Sequence, residues 1–184
     1  METKGETIVA QRRISTLTLK TAAPALSAGD TVLLSGPLYT ARDQAHKRIA
    51  ALLREGKPLP FPLDGATIYY AGPTPTPPGL PIGACGPTTS GRMDPYTPLF
   101  LDHGLCGMVG KGARSKEVCD AICRNGAVYL CAIGGAGALA AQCVQSLEVI
   151  AFDDLGCESV KRLEVRDFPL IVGIDCHGGN LFLR

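Results

Sequence analysis

Apolar residues recur along this chain with two different periods. Runs rich in β-branched and aliphatic residues predict strands at 14–19, 31–35, 67–70, 107–109, 127–131, 144–151, 160–165 and 170–175. Between them, apolar residues spaced three and four apart predict helices at 41–54, 92–103, 116–124 and 136–142. This is an α/β order, implying a mixed sheet with helices and a strand-rich C-terminal part. From Val144 onward strands dominate, and this last third is expected to form a small sheet of its own.

Six prolines, Pro73, Pro75, Pro77, Pro78, Pro81 and Pro87, interrupt the alternation within residues 72–87. Proline cannot sit inside a helix or a central strand, so this segment is a stiff loop. Strand-forming residues on both sides make it an excursion within one domain rather than a linker between two. The chain of 184 residues is long enough to bury a proper core and reads as a single domain, 1–184, with residues 1–13 as an N-terminal extension. Those first residues mix both charge signs, so neither a signal peptide nor an anchor is read there. The longest uncharged stretch, 127–144, raises the question of a membrane span. Its Gly134-Gly135-Ala136-Gly137 centre favours a strand, turn and helix instead.

Charge and cysteine content narrow the picture further. Eighteen basic against seventeen acidic residues leave a net charge of +1, so no overall field draws the chain to nucleic acid or an anionic membrane. Eight cysteines without an export signal read as reduced thiols of a cytoplasmic protein.

Any basic chemistry is therefore local, and three cations stand in one kind of place. Arg42 heads the apolar stripe Ala45, Ile49, Leu52 and Leu53, at a helix start where the macrodipole disfavours a cation. Arg92 follows the capping hydroxyls of Thr88, Thr89 and Ser90 at the opening of the next predicted helix. Lys111 lies between two glycines directly after a short apolar run, where backbone can approach a ligand closely. In open α/β folds such strand ends and helix starts bind small anions. Two arginines and a lysine suit two carboxylates. The competing reading pairs each cation with a neighbouring acid, Asp43 for Arg42 and Asp94 for Arg92, as is common on surfaces.

The strings SGPLYTARDQAHKRI, GPTTSGRMDPYTP, GMVGKG, AIGGAGAL and IDCHGGN stand in this order between Ser35 and Asn180, and the likeness they carry extends over residues 14–182. In them the chain resembles the small (β) subunit, or fused C-terminal domain, of the iron–sulfur-dependent class I fumarate hydratases. GPTTSGRMD is the most specific of the strings. The resemblance implies a swivelling β/β/α domain docked on a larger α subunit. That α subunit, and not this chain, is implied to carry a 4Fe–4S cluster, and the active site to lie between the two. Arg42, Arg92 and Lys111 are implied to bind a small dicarboxylate, with Thr88 the proton-transfer hydroxyl. The implied reaction interconverts fumarate and (S)-malate, in an assembly of two α and two β subunits with β–β contacts. A threonine is a poor base at its ordinary pKa and needs an acidic partner from the other subunit; taken alone, Thr88 reads equally as a helix cap. Cys85 and His177 depart from the family pattern and leave substrate preference open. The same fold resembles the L-tartrate dehydratase β subunit, the alternative function, while a non-catalytic dicarboxylate-binding module and a purely structural domain are the remaining ones.

Other signals carry less. Cys119, Cys123 and Cys131 lack a C-x₂-C pair and sit among apolar residues, so no metal ligand is assigned to this chain. Gly135, Gly137 and Ala140 form a G-x-G-x-x-A string, but only a strand-rich tail follows, against a dinucleotide fold. His46, on the apolar stripe, reads as a core histidine or a site contact. His103 and His177 make no nucleophilic dyad, and Asp175 and Asn180 read as structural.

Overall fold

The computed structural model describes residues 11–132, 135 and 137–183. Among them, seven strands form one mixed sheet: β1 Arg12–Ser15, β2 Thr31–Thr40, β3 Thr67–Tyr69, β4 Gly107–Gly110, β5 Val128–Cys131, β6 Val144–Ala151 and β7 Val160–Ile174. Strands β1 to β5 lie side by side in chain order and run parallel. Strand β7 runs antiparallel to β2, β5 and β6. Because β7 meets both β2 and β5, the pairings β2, β3, β4, β5, β7 close into a ring.

Five short helices cover this framework: α1 Leu19–Ala22, α2 Asp43–Arg54, α3 Thr97–Asp102, α4 Lys116–Asn125 and α5 Gly137–Gln142. Side chains alternate along the strands and divide into two cores. Tyr69, Val109, Val128 and Leu130 pack with Leu34, Leu163 and Val172, closed off by Leu19 of α1 and Ile82 of the proline loop. Ile68, Tyr70, Met108 and Tyr129 face the other way, under Ile49 of α2, Phe100 of α3 and Ile122 of α4. Among the described residues no helix is long and apolar enough to cross a membrane.

Several expected elements differ. The strand read at 14–19 ends at Ser15, where Ser15 Oγ accepts from the Leu17 backbone N–H (3.2 Å) and opens a 3-10 turn followed by α1. The helix read at 92–103 divides into a 3-10 turn, Ser90–Met93, and α3, because Pro95 and Pro98 supply no N–H and α3 tolerates Pro98 only in its first turn. The two last strands are one: β7 runs through Asp167, which takes φ 50°, and Pro169, with a register shift opposite Leu34 and Gly36. The C-terminal third is thus not a separate sheet, since β6 and β7 complete the common one. β1 also begins at Arg12, inside the segment read as an extension. Ala136, the expected first residue of α5, and Gly134 lie outside the described residues, as do residues 1–10.

The proline loop leaves and rejoins the sheet at one point, through a bridge between Ala71 and Pro87. Parallel strands β2 to β5 put their carboxyl ends on one edge, and the loop delivers Thr88, Thr89 and Ser90 to that edge.

Candidate functional site

Arg42 follows β2 and occupies the N-cap of α2, where Ser, Thr, Asp or Asn is usual. Its side chain caps nothing there. The carboxylate of Glu158, more than a hundred residues on, supplies the missing acceptor to the Gln44 backbone N–H (3.1 Å). Arg42 Nη2 lies 3.7 Å from Glu158 Oε1, and Arg42 Nε lies 3.9 Å from Asp43 Oδ2. Its guanidinium passes over Gly72, where an added Cβ would stand 2.9 Å from Arg42 Nη1.

Thr88 is set by its backbone N–H, which donates to the Tyr70 carbonyl at the end of β3 (2.7 Å). Arg92, one turn on, donates from Nη1 to Thr88 Oγ1 (3.3 Å) and from Nε to Asp43 Oδ1 (2.8 Å). Lys111 follows β4. Its backbone N–H donates to Ser90 Oγ (3.0 Å) and its carbonyl accepts from the Ser90 N–H (2.9 Å). This closeness needs Gly110, because a Cβ there would fall 2.0 Å from Ser90 Oγ. Among the described residues the Lys111 ammonium forms no ion pair.

The four residues singled out from the sequence therefore share one sheet edge, with Asp43 between the two arginines. The simple neighbour pairing fails for Arg92, whose acid is Asp43 rather than Asp94. Asp94 instead holds Arg114, at 2.7 Å from Nε, with the Arg114 side chain wholly buried. Arg114 also donates to Thr97 Oγ1 (2.9 Å) and lies over the rings of Tyr70 and Tyr129, 5.2 and 5.0 Å from their centroids. Asp94 Oδ2 accepts from the Ser115 N–H (2.7 Å), so the pair fastens the turn bearing Arg92 to the segment after Lys111.

His46 is fully buried behind this edge, against Tyr70, Tyr96 and Phe100. Its Nδ1 donates to the Arg42 carbonyl (3.0 Å), which fixes the neutral tautomer. Burial pushes its pKa down to about 4, against a smaller upward pull from that hydrogen bond. His46 is thus a core residue that braces the Arg42 backbone. Burial pushes the Cys85 thiol up to about 12 and the Cys106 thiol up to about 11, so both stay protonated and are poor metal ligands. Among the described residues no three His, Cys, Asp or Glu side chains gather as a metal site. Among the described residues the donor set does not fit an iron–sulfur cluster.

The terminal string is structural. The Asp175 carboxylate accepts from the backbone N–H groups of Ala28 (2.7 Å), His177 (2.8 Å) and Gly179 (2.9 Å). Burial alone would raise its pKa, but these donors hold it below the ordinary carboxylate value. His177 Nε2 reaches the Pro24 carbonyl (2.8 Å), among residues of the N-terminal helices.

The family model described as Fumarase C-terminus matches residues 2–184. The chain belongs to this family. It is 45% identical over 151 residues to Fumarate hydratase 1, mitochondrial, of Leishmania major, and 44% identical over 151 residues to the anaerobic class I fumarate hydratase of Escherichia coli (strain K12). Each match covers 81% of this chain but 28% of the relative, so the chain spans little more than a quarter of those proteins. It is 40% identical over 163 residues to a Methanocaldococcus jannaschii protein named "Putative L(+)-tartrate dehydratase subunit beta", covering 85% of this chain and 84% of that one. In this fumarase C-terminus chain, Glu158 and Arg114 shape the edge and were missed by sequence reading, while Asp43 was read only as a partner of Arg42 and not of Arg92. Asp43 and Glu158 look like ordinary surface acids until the fold brings them to Arg92 and Arg42. Arg114 sits in a polar loop with no apolar period to mark it.

Proposed function

We propose that this chain is the β component of an iron–sulfur hydro-lyase interconverting fumarate and (S)-malate, with residues 1–184 acting as one fumarase-type domain. The observation that carries this reading is the meeting of Arg42, Arg92, Lys111 and Thr88 at one sheet edge of a fumarase C-terminus chain. Arg92 and Arg42 offer planar forks for carboxylates, and Lys111 adds a point charge from the next strand end. Together they hold a dicarboxylate with its double bond near Thr88 and stabilise charge as it builds on the carboxylate beside the reacting carbon. Thr88 Oγ1 moves the proton at that carbon. The adjacent Arg92 guanidinium favours the alkoxide form electrostatically, and an acid of the α subunit is needed to exchange the proton. The family likeness supports assigning the 4Fe–4S cluster to the α subunit, in a cytoplasmic assembly of two α and two β subunits with β–β contacts.

The second reading, L-tartrate dehydration, rests on the Methanocaldococcus relative, whose length the chain covers to 84%. The same carboxylate clamps serve either acid. The test is an anaerobic assay of the chain co-expressed with its α subunit, on fumarate, (S)-malate and L-tartrate. Replacing Arg42 and Arg92 together by Ala is expected to lower kcat/KM for the preferred acid by about a thousandfold or more while the complex still assembles. Undiminished turnover in that double variant contradicts the site assignment.

A further inference from the structure

A guanidinium presents two edges to a carboxylate, one formed by Nε and Nη2 and one by the two Nη atoms. In Arg92 the first edge is filled from within the chain. Nε donates to Asp43 Oδ1 (2.8 Å) and Nη2 lies 2.7 Å from Asp43 Oδ2. The second edge is turned toward Thr88, 3.3 Å from Nη1 to Oγ1. Arg42 is held far more loosely, with contacts of 3.9 Å to Asp43 and 3.7 Å to Glu158. Arg42 Nε is shut off from solvent, and among the described residues it completes no hydrogen bond.

We infer that Asp43 is a positioning residue that divides the carboxylate grip between a fixed and a movable arginine. This rests on the hydro-lyase reading above. Asp43 occupies one edge of Arg92 and so aims the other at the substrate carboxylate and at Thr88. It keeps Arg42 within electrostatic reach without a hydrogen bond, leaving that guanidinium to turn onto the incoming acid. An acid at the first position of α2 favours the helix through its dipole. That role alone does not call for side-on contact with an arginine 49 residues away. The three cations against Asp43 and Glu158 also leave the cluster one net positive charge, so Asp43 restrains the mutual repulsion of Arg42 and Arg92 before substrate arrives.

The test compares Asp43→Asn and Asp43→Glu in the anaerobic complex, with arginine side-chain nitrogen spectra of this chain alone. Asp43→Asn is expected to raise KM for the dicarboxylate about tenfold or more, with kcat per assembled complex changed less than about threefold. Asp43→Glu, which keeps the charge, restores most of the loss. The Arg92 Nε–H resonance is expected to be resolved and slow to exchange in the wild-type chain and to lose that protection in Asp43→Asn. A role confined to helix stability lowers the yield of complex in both variants and leaves KM alone, and a KM unchanged within about twofold in an active Asp43→Asn complex overturns the inference. If the wild-type complex turns over neither fumarate nor L-tartrate, the hydro-lyase reading fails by itself. The spectra then decide Asp43 separately, and an Arg92 Nε–H still protected in Asp43→Asn overturns its positioning role.

Discussion

The imidazole of His46 is uncharged at neutral pH, since burial between α2 and α3 holds its pKa at about 4 against an ordinary 6.5. Between those values the unfolded chain binds the proton and the folded chain does not. Its contribution to stability is therefore full above about pH 6.5 and is lost as the pH falls toward about 4, by roughly 3 kcal/mol in all. His46→Phe keeps the aromatic packing and removes the titration. Urea unfolding at about pH 7.5 and about pH 4.5 is expected to show wild type losing about 2–3 kcal/mol more than the variant across that interval. Arg42, Arg92 and Lys111 stand out in the sequence because each is a cation where helix or strand chemistry asks for something else, and Thr88 because it sits in an ordered family string; the fold adds that the four share one sheet edge. Asp43 was visible only as a neighbour of Arg42. Its principal partner is 49 residues away, a relation that no local pattern encodes.

Between elements, the buried pair Arg114–Asp94 fastens the turn that carries Arg92 to the connection between β4 and α4. Its worth lies in completeness. The guanidinium is satisfied by Asp94 and Thr97 and stacked between two tyrosines, so removing it leaves an acid of 13% side-chain exposure without its counter-charge. Arg114→Ala is expected to cost about 3–5 kcal/mol in urea unfolding, and Arg114→Lys less, because lysine keeps the charge without the fork. The strand cores at 67–70, 107–109, 127–131 and 144–151 were readable from their apolar runs, and α2 and α4 from their stripes. The misread elements all turn on polar or proline chemistry. Ser15 draws backbone donors into a turn, Pro95 and Pro98 divide one helix, and Asp167 lets β7 continue where RDFP looked like a break.

On the scale of the whole molecule, β7 is what makes the site edge. By pairing with both β2 and β5 it closes the ring, and the parallel strands within it align their carboxyl ends. That closure depends on contacts between distant parts of the chain and so escaped a reading by local period, which gave the last third a sheet of its own. Among the described residues, the edge it creates bears the three cations Arg42, Arg92 and Lys111 with the acids Asp43 and Glu158. The chain spans 28% of the fumarate hydratases it resembles, and under the proposed function the α subunit covers this edge. The most direct test is a crystal structure of the assembled complex with (S)-malate or the preferred acid bound. The account predicts the two carboxylates within hydrogen-bonding distance of Arg42, Arg92 and Lys111, with Thr88 Oγ1 facing the carbon between them. A dicarboxylate bound in the complex with none of these three cations in contact would contradict it.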